Sequence, residues 1–277
     1  MVMKTLYISD LDGTLLNSKK EVTDYTAGII NRCIEAGMLF SVATARMPYG
    51  CDYRLKQLNL QTPAILTNGV FIYDFNTKKY LHAEKIERDA AREVIGAFEE
   101  NKKSCFMYLF HDEQISICYG DDSLKAQEQY YSKRALESCE RVYRTDDFRK
   151  EMEQGDVVYF ALTGTEQELE PICKSLDQVR GIHYTCYLNI YNGLYCLEVF
   201  SHKASKRHAL LRLKDMLGCG QLVVFGDNHN DMPMIEIADR SYAPANALEV
   251  VKQAVTDVLE DCDHDGVAKF LRRELGI

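Results

Sequence analysis

The chain ends its apolar runs on polar, chemistry-bearing residues, and that pattern limits what it can fold into. Leu6-Tyr7-Ile8-Ser9 reads as a strand and runs straight into Asp10-Leu11-Asp12-Gly13-Thr14. Alternate residues of a strand share a face, so Asp10 and Asp12 point the same way for as long as the strand continues. Asp12 is expected just past the strand end, where Gly13 lets the chain turn. Two carboxylates crowded at a strand tip repel each other, and a hard cation such as Mg2+ between them relieves the repulsion. Asp-x-Asp-Gly-Thr should arise by chance in roughly one chain of this size in a few hundred. Three later segments built on the same plan give it weight.

The second segment is Leu39-Phe40-Ser41-Val42-Ala43-Thr44-Ala45-Arg46, an apolar run that ends on a hydroxyl and then a cation. Pro48 suits the first turn of a following helix. A hydroxyl and free N–H groups at a strand-to-helix turn can hold a phosphate. The third runs from Cys196 to Leu211 and predicts a strand, a short loop and a helix entered near Ala204. Lys206 then falls in the first turn, where a cation opposes the helix dipole. A solvated lysine is the plain reading there; an acidic cluster opposite it would reverse the argument. The fourth is Gln221-Leu222-Val223-Val224-Phe225-Gly226-Asp227, followed by Asn228-His229-Asn230-Asp231. Asp227 is placed to complete a metal site, and Asn230 offers a neutral hydrogen-bonding group at a helix start. Asp231 is placed to hold a lysine such as Lys206 by a charge-assisted bond. His229 is not read as a zinc ligand, because no other His or Cys stands at ligand spacing and its neighbours are oxygen donors. In open parallel α/β sheets, functional groups collect beyond the carboxyl ends of the strands.

Composition narrows the function classes. With 277 residues, 46% of them hydrophobic, there is ample material for one large domain or two smaller ones. The net charge is −9 and no Lys/Arg-rich block stands out, which argues against a nucleic-acid surface. An anionic substrate would need Mg2+ and a local lysine to overcome that overall sign. Ten cysteines are scattered without a C-x-x-C pair. Cys105, Cys118 and Cys196 lie in apolar runs, where buried thiols are common. With no signal-peptide pattern in view, a reducing cytoplasm is the expected setting. No apolar run reaches the length of a membrane span. Oligomeric state leaves no mark in the sequence.

The pattern divides the chain. Strand and helix signals alternate over 1–83, with the first helix expected over 23–37. From 84 the order changes. A helix over 87–100, strands near 105–110 and 114–119, and a polar helix near 122–138 are expected in turn. A strand over 157–162 and a helix over 166–177 follow. Strands near 182–190 and 194–200 flank Asn192-Gly193, a strong hairpin signal. From Ala204 the helix–strand alternation resumes. An α+β insertion over 84–200 thus interrupts an α/β core made of 1–83 and 201–277. The aromatic run Tyr184-Thr185-Cys186-Tyr187-Leu188-Asn189-Ile190-Tyr191 is expected to be ordinary strand packing on helices, tyrosine being favoured in strands; contact with substrate is the alternative.

Together the four segments resemble the haloacid dehalogenase superfamily, in its Cof-type subfamily IIB of phosphatases, over essentially the whole chain. Asp10-Leu11-Asp12-Gly13-Thr14 matches the first motif of that group, Thr44 the second, Lys206 the third, and Gly226 through Asp231 the fourth. Thr67-Asn68-Gly69, Ala245-Asn246-Ala247 and Asp265-Gly266-Val267-Ala268 are supporting similarities. The resemblance implies a Rossmann-like parallel-sheet core with an inserted α+β cap domain that reads the substrate's leaving group. It implies Asp10 as nucleophile and Asp12 as general acid and base. It implies Mg2+ held by Asp10, Asp227 and the Asp12 backbone carbonyl, with the phosphoryl group on Thr44 and Lys206. Asn68 and Asn230 are further candidates for phosphate or substrate contact, and Asp231 for orienting Lys206. The implied activity is hydrolysis of small phosphorylated metabolites, such as sugar phosphates or nucleotide-like cofactors, through an aspartyl-phosphate. A phosphomutase or phosphotransferase on the same scaffold, or a non-catalytic phosphometabolite sensor, would carry the same motifs. Ala45 and Arg207 stand where the group usually has glycine, and Ser201 and Lys203 replace the usual Pro and Gly. An alanine forced to positive φ at position 45 would cost about 1–2 kcal/mol, so a turn compatible with alanine is expected.

Overall fold

Five apolar runs pair side by side in parallel. In the computed structural model, which describes residues 4–121, 124, 141–189 and 193–276 (the Tyr49 side chain excepted), they are β1 Thr5–Ser9, β2 Leu39–Val42, β12 Gln221–Phe225, β13 Arg240–Pro244 and β14 Asp257–Leu259. Their order in the sheet is β14-β13-β12-β1-β2, and all neighbours are parallel. Central parallel strands are covered on both faces, which is why β1 and β12 read as nearly unbroken apolar runs. Leu6, Ile8, Leu222 and Val224 are fully buried against Leu210 and Leu213 of the helix Lys206–Leu217. The expected polar helix over 122–138, and Tyr191-Asn192 of the hairpin signal, lie outside the described residues.

Two compact units result. One comprises Met1–Leu81 and Ser205–Ile277, the other His82–Ala204. The fold is α/β with a parallel-sheet core and an inserted α+β segment. In the first unit, helix Asp24–Glu35 starts at Thr23, whose hydroxyl accepts from the Thr26 N–H. Its buried face, Ala27, Ile29, Ile30 and Cys33, packs on helix Gly266–Leu275. Asp265 takes a left-handed conformation (φ 55°) just before that helix and accepts a hydrogen bond from the Thr26 hydroxyl at 2.8 Å.

One part departs from the expected alternation of strand and helix. After helix Pro48–Leu55, the strands β3 Ala64–Leu66, β4 Phe71–Asp74 and β5 Lys79–Ala83 form a small separate sheet, with β3 and β4 antiparallel. The runs are too short for a helix of that span, and the turn at Thr67-Asn68-Gly69 sends the chain back on itself.

The second unit is built on a six-stranded sheet of order β10-β11-β9-β6-β7-β8, formed by β6 Phe106–His111, β7 Gln114–Tyr119, β8 Arg141–Arg144, β9 Asp156–Gly164, β10 Ile182–Asn189 and β11 Leu194–Ser201. Only the β7–β8 pair is parallel. Helices Arg88–Glu100 and Glu166–Leu176 pack on one face, where the Phe98 and Phe160 rings lie 6.2 Å apart. Pro171 sits inside the second helix, which a complete Thr165–Glu168 capping box anchors. The nine cysteines among the described residues are free thiols, and Cys105, Cys118 and Cys196 are buried. Among the described residues no helix is long and apolar enough to cross a membrane.

Gly69 has φ +98°, and a Cβ there would run into the backbone carbonyl of Ser205 at the start of helix Lys206–Leu217. Gly28 lies mid-helix with nothing within 4 Å of an added Cβ. Gly69→Ala is therefore expected to lose more than about 2 kcal/mol in denaturant unfolding, through both the clash and the positive φ. Gly28→Ala should gain about 0.5–1 kcal/mol. Equal stability of the two variants would contradict the close approach at Gly69.

Candidate functional site

Three strand tips of the first unit meet. The Asp10 N–H donates to the Phe225 carbonyl at 2.9 Å, which fixes the residue after β1 beside the end of β12. The Ala43 N–H donates to the Ser9 carbonyl, also at 2.9 Å, and sets the tip of β2 on the other side. Asp10, Thr44 and Asp227 each follow one of these ends directly or by one residue.

Lys206 is the centre of the group. It is 1% exposed, and its Nζ donates to Asp10 Oδ1 and Asp231 Oδ1, both at 2.6 Å. The plain reading of a solvated lysine is therefore reversed by the acids opposite it. Burial works against the ammonium, but the two carboxylates outweigh it and hold the Lys206 pKa above its ordinary value. Asp231 is fully buried, and its Oδ2 accepts from the backbone N–H groups of Asp227 and Asn228 at 2.9 and 3.0 Å. Asp227 accepts from the Thr14 hydroxyl at 2.9 Å. Gly13 (φ +83°) allows this approach, since a Cβ there would lie 2.6 Å from Asp227 Oδ2.

The carboxylates of Asp10, Asp227 and Asp231 lie within 4.8 Å of one another and form a cluster able to hold a metal ion. Burial, with the neighbouring Asp231 and Asp227 charges added, pushes Asp10 up to about 7 against the pull of Lys206. Burial also raises Asp227, to about 6, with Asp231 adding to the shift and the Thr14 hydroxyl opposing it. Three acids cluster around one lysine, and their mutual repulsion adds to the effect of burial in both shifts. The donors are all hard oxygens, which fits a cation of the Mg2+ kind.

Asp12 is turned elsewhere. Its carboxylate makes a two-pronged bond with Arg46, with Nε to Oδ2 at 2.6 Å and Nη2 to Oδ1 at 2.8 Å, and Lys20 Nζ lies 3.2 Å from Oδ1. Burial would raise its pKa, but Arg46 and Lys20 together hold it below the ordinary carboxylate range. The Asp12 side chain is thus not one of the three clustered carboxylates, and the sequence marked Arg46 only as the cation after Thr44. Thr44 is buried, and its Oγ1 accepts from the Arg46 N–H at 3.2 Å. Ala45 keeps to negative φ, so the missing glycine costs nothing there.

The two asparagines singled out in the sequence meet, with Asn230 Nδ2 donating to Asn68 Oδ1 at 3.1 Å. Asn68 lies in the one-turn helix Thr67–Gly69 at φ 52°, and its N–H donates to the Thr44 carbonyl at 3.0 Å. Asn246, from the Ala-Asn-Ala similarity, donates to the Gly13 carbonyl at 2.7 Å and accepts from the Cys262 N–H at 2.9 Å. His229 is exposed. The partners of Asp12 were missed because nothing in a linear order tells which cation reaches which acid.

Comparison with known proteins adds the family. The sequence profile of the haloacid dehalogenase-like hydrolases matches residues 7–271. The chain belongs to that family, in its Cof-type phosphatase branch. It is 26% identical to the 5-amino-6-(5-phospho-D-ribitylamino)uracil phosphatase YwtE of Bacillus subtilis, over 97% of each chain. It is 26% identical to the pyridoxal phosphate phosphatase YbhA of Escherichia coli, over 96% of this chain and 97% of that one. Among solved structures, a haloacid dehalogenase-like hydrolase from Bacteroides thetaiotaomicron shares the fold with a TM-score of 0.74 and 23% identity, over 98% of this chain and 99% of that one.

The raised Asp227 pKa has a consequence for the metal-free chain. Between the ordinary value and about 6, the folded chain holds more protons than the unfolded one, so stability falls as pH rises through that window. Asp227→Asn keeps an acceptor for Thr14 and removes the charge. With chelator present, the variant should be more stable than the parent by about 1–2 kcal/mol at pH 8, after allowance for solvent screening, and the gap should close toward pH 4. Thermal melting across that pH range checks it. A variant that melts lower at pH 8 would show that Asp227 is not under charge strain.

Proposed function

We propose that the chain is a Mg2+-dependent phosphatase that hydrolyses small phosphorylated metabolites through an aspartyl-phosphate on Asp10. The observation that carries this reading is the buried Asp10 carboxylate, held by Lys206 through one oxygen and set beside Asp227. The relatives are named for a phosphorylated uracil derivative and for pyridoxal phosphate, which supports small phosphomonoesters as the substrate class.

The residues divide the chemistry. Asp10 attacks phosphorus, the bond from phosphorus to the leaving oxygen breaks, and Asp12, which must first leave the Arg46 and Lys20 pairing that keeps it ionised and take up a proton, gives that oxygen its proton. Asp12 then takes a proton from water, the water oxygen attacks phosphorus, and Asp10 leaves as a carboxylate with inorganic phosphate released. Lys206 and Thr44 bind the phosphoryl oxygens, where charge spreads in the transition state. Asn68 and Asn230, bonded to each other, are further phosphate or substrate contacts. Asp10 and Asp227, with the Asp12 backbone carbonyl, would hold Mg2+. Both oxygens of Asp231 are already engaged by Lys206 and two N–H groups, so Asp231 serves to orient Lys206. Bound there, the cation supplies charge neutralisation between a carboxylate nucleophile and a phosphate dianion. The second unit, 82–204, would act as the cap that reads the leaving group. The free thiols fit a reducing cytoplasm.

Two measurements test the reading. Hydrolysis of p-nitrophenyl phosphate should vanish on chelation, return with Mg2+ and return poorly with Zn2+. Asp10→Asn should abolish it while the chain still melts cooperatively. Full activity without metal, or substantial turnover by a homogeneous Asp10→Asn sample, would sink the assignment.

Lys206 and Lys203 offer a controlled comparison. Lys203 is exposed and pairs with Glu87 at 3.0 Å, whereas Lys206 is buried between two aspartates. Lys206→Ala should lower kcat/KM by about 100- to 1,000-fold, the scale of losing one donor to a developing oxyanion. Lys203→Ala should change it less than about threefold, as expected for an exposed ion pair. Equal activity of the two would make Lys206 purely structural.

A further inference from the structure

Within the second unit, β10 follows helix Glu166–Leu176 after a short turn and runs back along it. One contact sets their register: the Tyr184 hydroxyl donates to Asp177 Oδ1, just past the helix, at 2.6 Å. Cys173 lies one helical turn back from Asp177, about 6 Å along the axis. Cys186 lies two residues on from Tyr184, on the same face of the strand and about 6.6 Å along it. The matched rises bring the two thiols together, and the Cys173 S–H donates to the Cys186 sulfur. Leu197 is the partner of Cys186 across the β10–β11 pair, and Leu169, Ile172 and Leu176 are the buried residues of the helix. The pair therefore sits at the rim of a packed helix-on-sheet layer.

Cys186 is the one exposed thiol among the described residues, and Cys173 is half-buried. Cys196 is paired with Tyr187, so strand alternation turns it to the other face of the sheet. There it is buried, with its sulfur 3.8 Å from the Thr163 hydroxyl. Burial pushes the Cys173 thiol up to about 12, with the Cys186 charge and hydrogen bond adding to the shift. Burial also raises Cys186, but there the hydrogen bond from Cys173 opposes the rise. Cys186 thus ionises before Cys173, and it is also the thiol that a reagent in solution can reach. The proposed phosphoryl chemistry uses neither.

We propose that Cys173 and Cys186 form a reversible redox pair, closed to a disulfide by exchange with a small-molecule disulfide such as oxidised glutathione. The Cys186 thiolate attacks one glutathione sulfur, the S–S bond of the reagent breaks, and a glutathione thiolate leaves. The Cys173 thiolate then attacks the Cys186 sulfur, joins helix to strand, and expels the second glutathione. The two protein thiols give two electrons to the reagent, and their two protons end on the two glutathiones released. The bond ties β10, the edge strand of its sheet, to helix Glu166–Leu176 and lies wholly inside the second unit. Thiols held above their ordinary pKa exchange slowly at neutral pH, so the pair answers sustained oxidation and not a brief pulse.

The test uses the full chain, reduced and folded, with oxidised glutathione at about pH 8.5, near the ordinary thiol pKa. Remaining thiols are then alkylated, and intact mass and peptide mapping read the products. The parent should lose two hydrogens and keep no glutathione at either position, and dithiothreitol should reverse the change. Cys173→Ser should instead hold a glutathione on Cys186, because nothing resolves the mixed disulfide. Cys186→Ser should form no cross-link. Cys196→Ala, changed on the other face of the sheet, should close the bond as the parent does. The closed chain should melt roughly 5 °C or more above the reduced one, since a bond that fits the native positions restricts the unfolded chain. Cys173→Ala and Cys186→Ala serve if a serine variant does not melt cooperatively. Glutathione retained on Cys186 of the parent would overturn the proposal. So would a cross-link that survives loss of Cys173 or Cys186, one that needs Cys196, or a closed chain that melts lower.

Discussion

A buried ammonium between two buried carboxylates organises the first unit. Lys206 can stay charged at 1% exposure because Asp10 and Asp231 lie 2.6 Å away on either side. Removing any one partner would leave an uncompensated charge in a low-dielectric setting, which is far more costly than the intact group. The requirement propagates outward. Asp231 must be held in turn, and two backbone N–H groups after β12 do this. Helix Lys206–Leu217 must begin at one place, and the Ser205 cap and the close approach of Gly69 fix it. β1 must end where Asp10 can reach, and the Phe225 carbonyl sets that register.

The group is nevertheless out of balance. Three clustered acids face one lysine, and burial, with the neighbouring carboxylates adding to it, raises Asp10 to about 7 and Asp227 to about 6. A site that costs stability in this way is poised to take up positive charge. Asp231 contributes to the surplus but has no oxygen to spare, so the unmet demand falls on Asp10 and Asp227. Asp12, two residues from Asp10, escapes it by pairing with Arg46 and Lys20. Two acids of one short motif thus live in opposite electrostatic settings, one pushed up and one held down.

The strand-end acids were legible in the sequence because long apolar runs fix where parallel strands stop, and the residue after such a run has nowhere to go but the sheet's edge. The same logic placed Thr44 and Asp227. Pairings between side chains were less legible. Asn68 and Asn230 were both marked as polar groups at turns, but their mutual bond joins positions 162 apart in the chain. Only the completed fold brings them together. The clamp of Arg46 on Asp12 was hidden for a related reason, since the periodicity of a strand says which face a residue takes but not how far a long cation reaches beyond its end. The three short strands from Ala64 to Ala83 were read as part of a helix–strand alternation. Runs of three to five residues carry too little periodicity to tell a hairpin from a crossover.

The two units handle buried negative charge in different ways. In the first, Lys206 cancels part of the charge directly, and the remainder is concentrated on oxygens that suit a small hard cation. In the second, Glu198 has hydroxyl donors from Thr185, Tyr187 and Tyr159, which orient the carboxylate and soften its charge without cancelling it. Hydroxyl groups are too few and too dispersed to make a metal site, and the surrounding rings offer no further hard ligand.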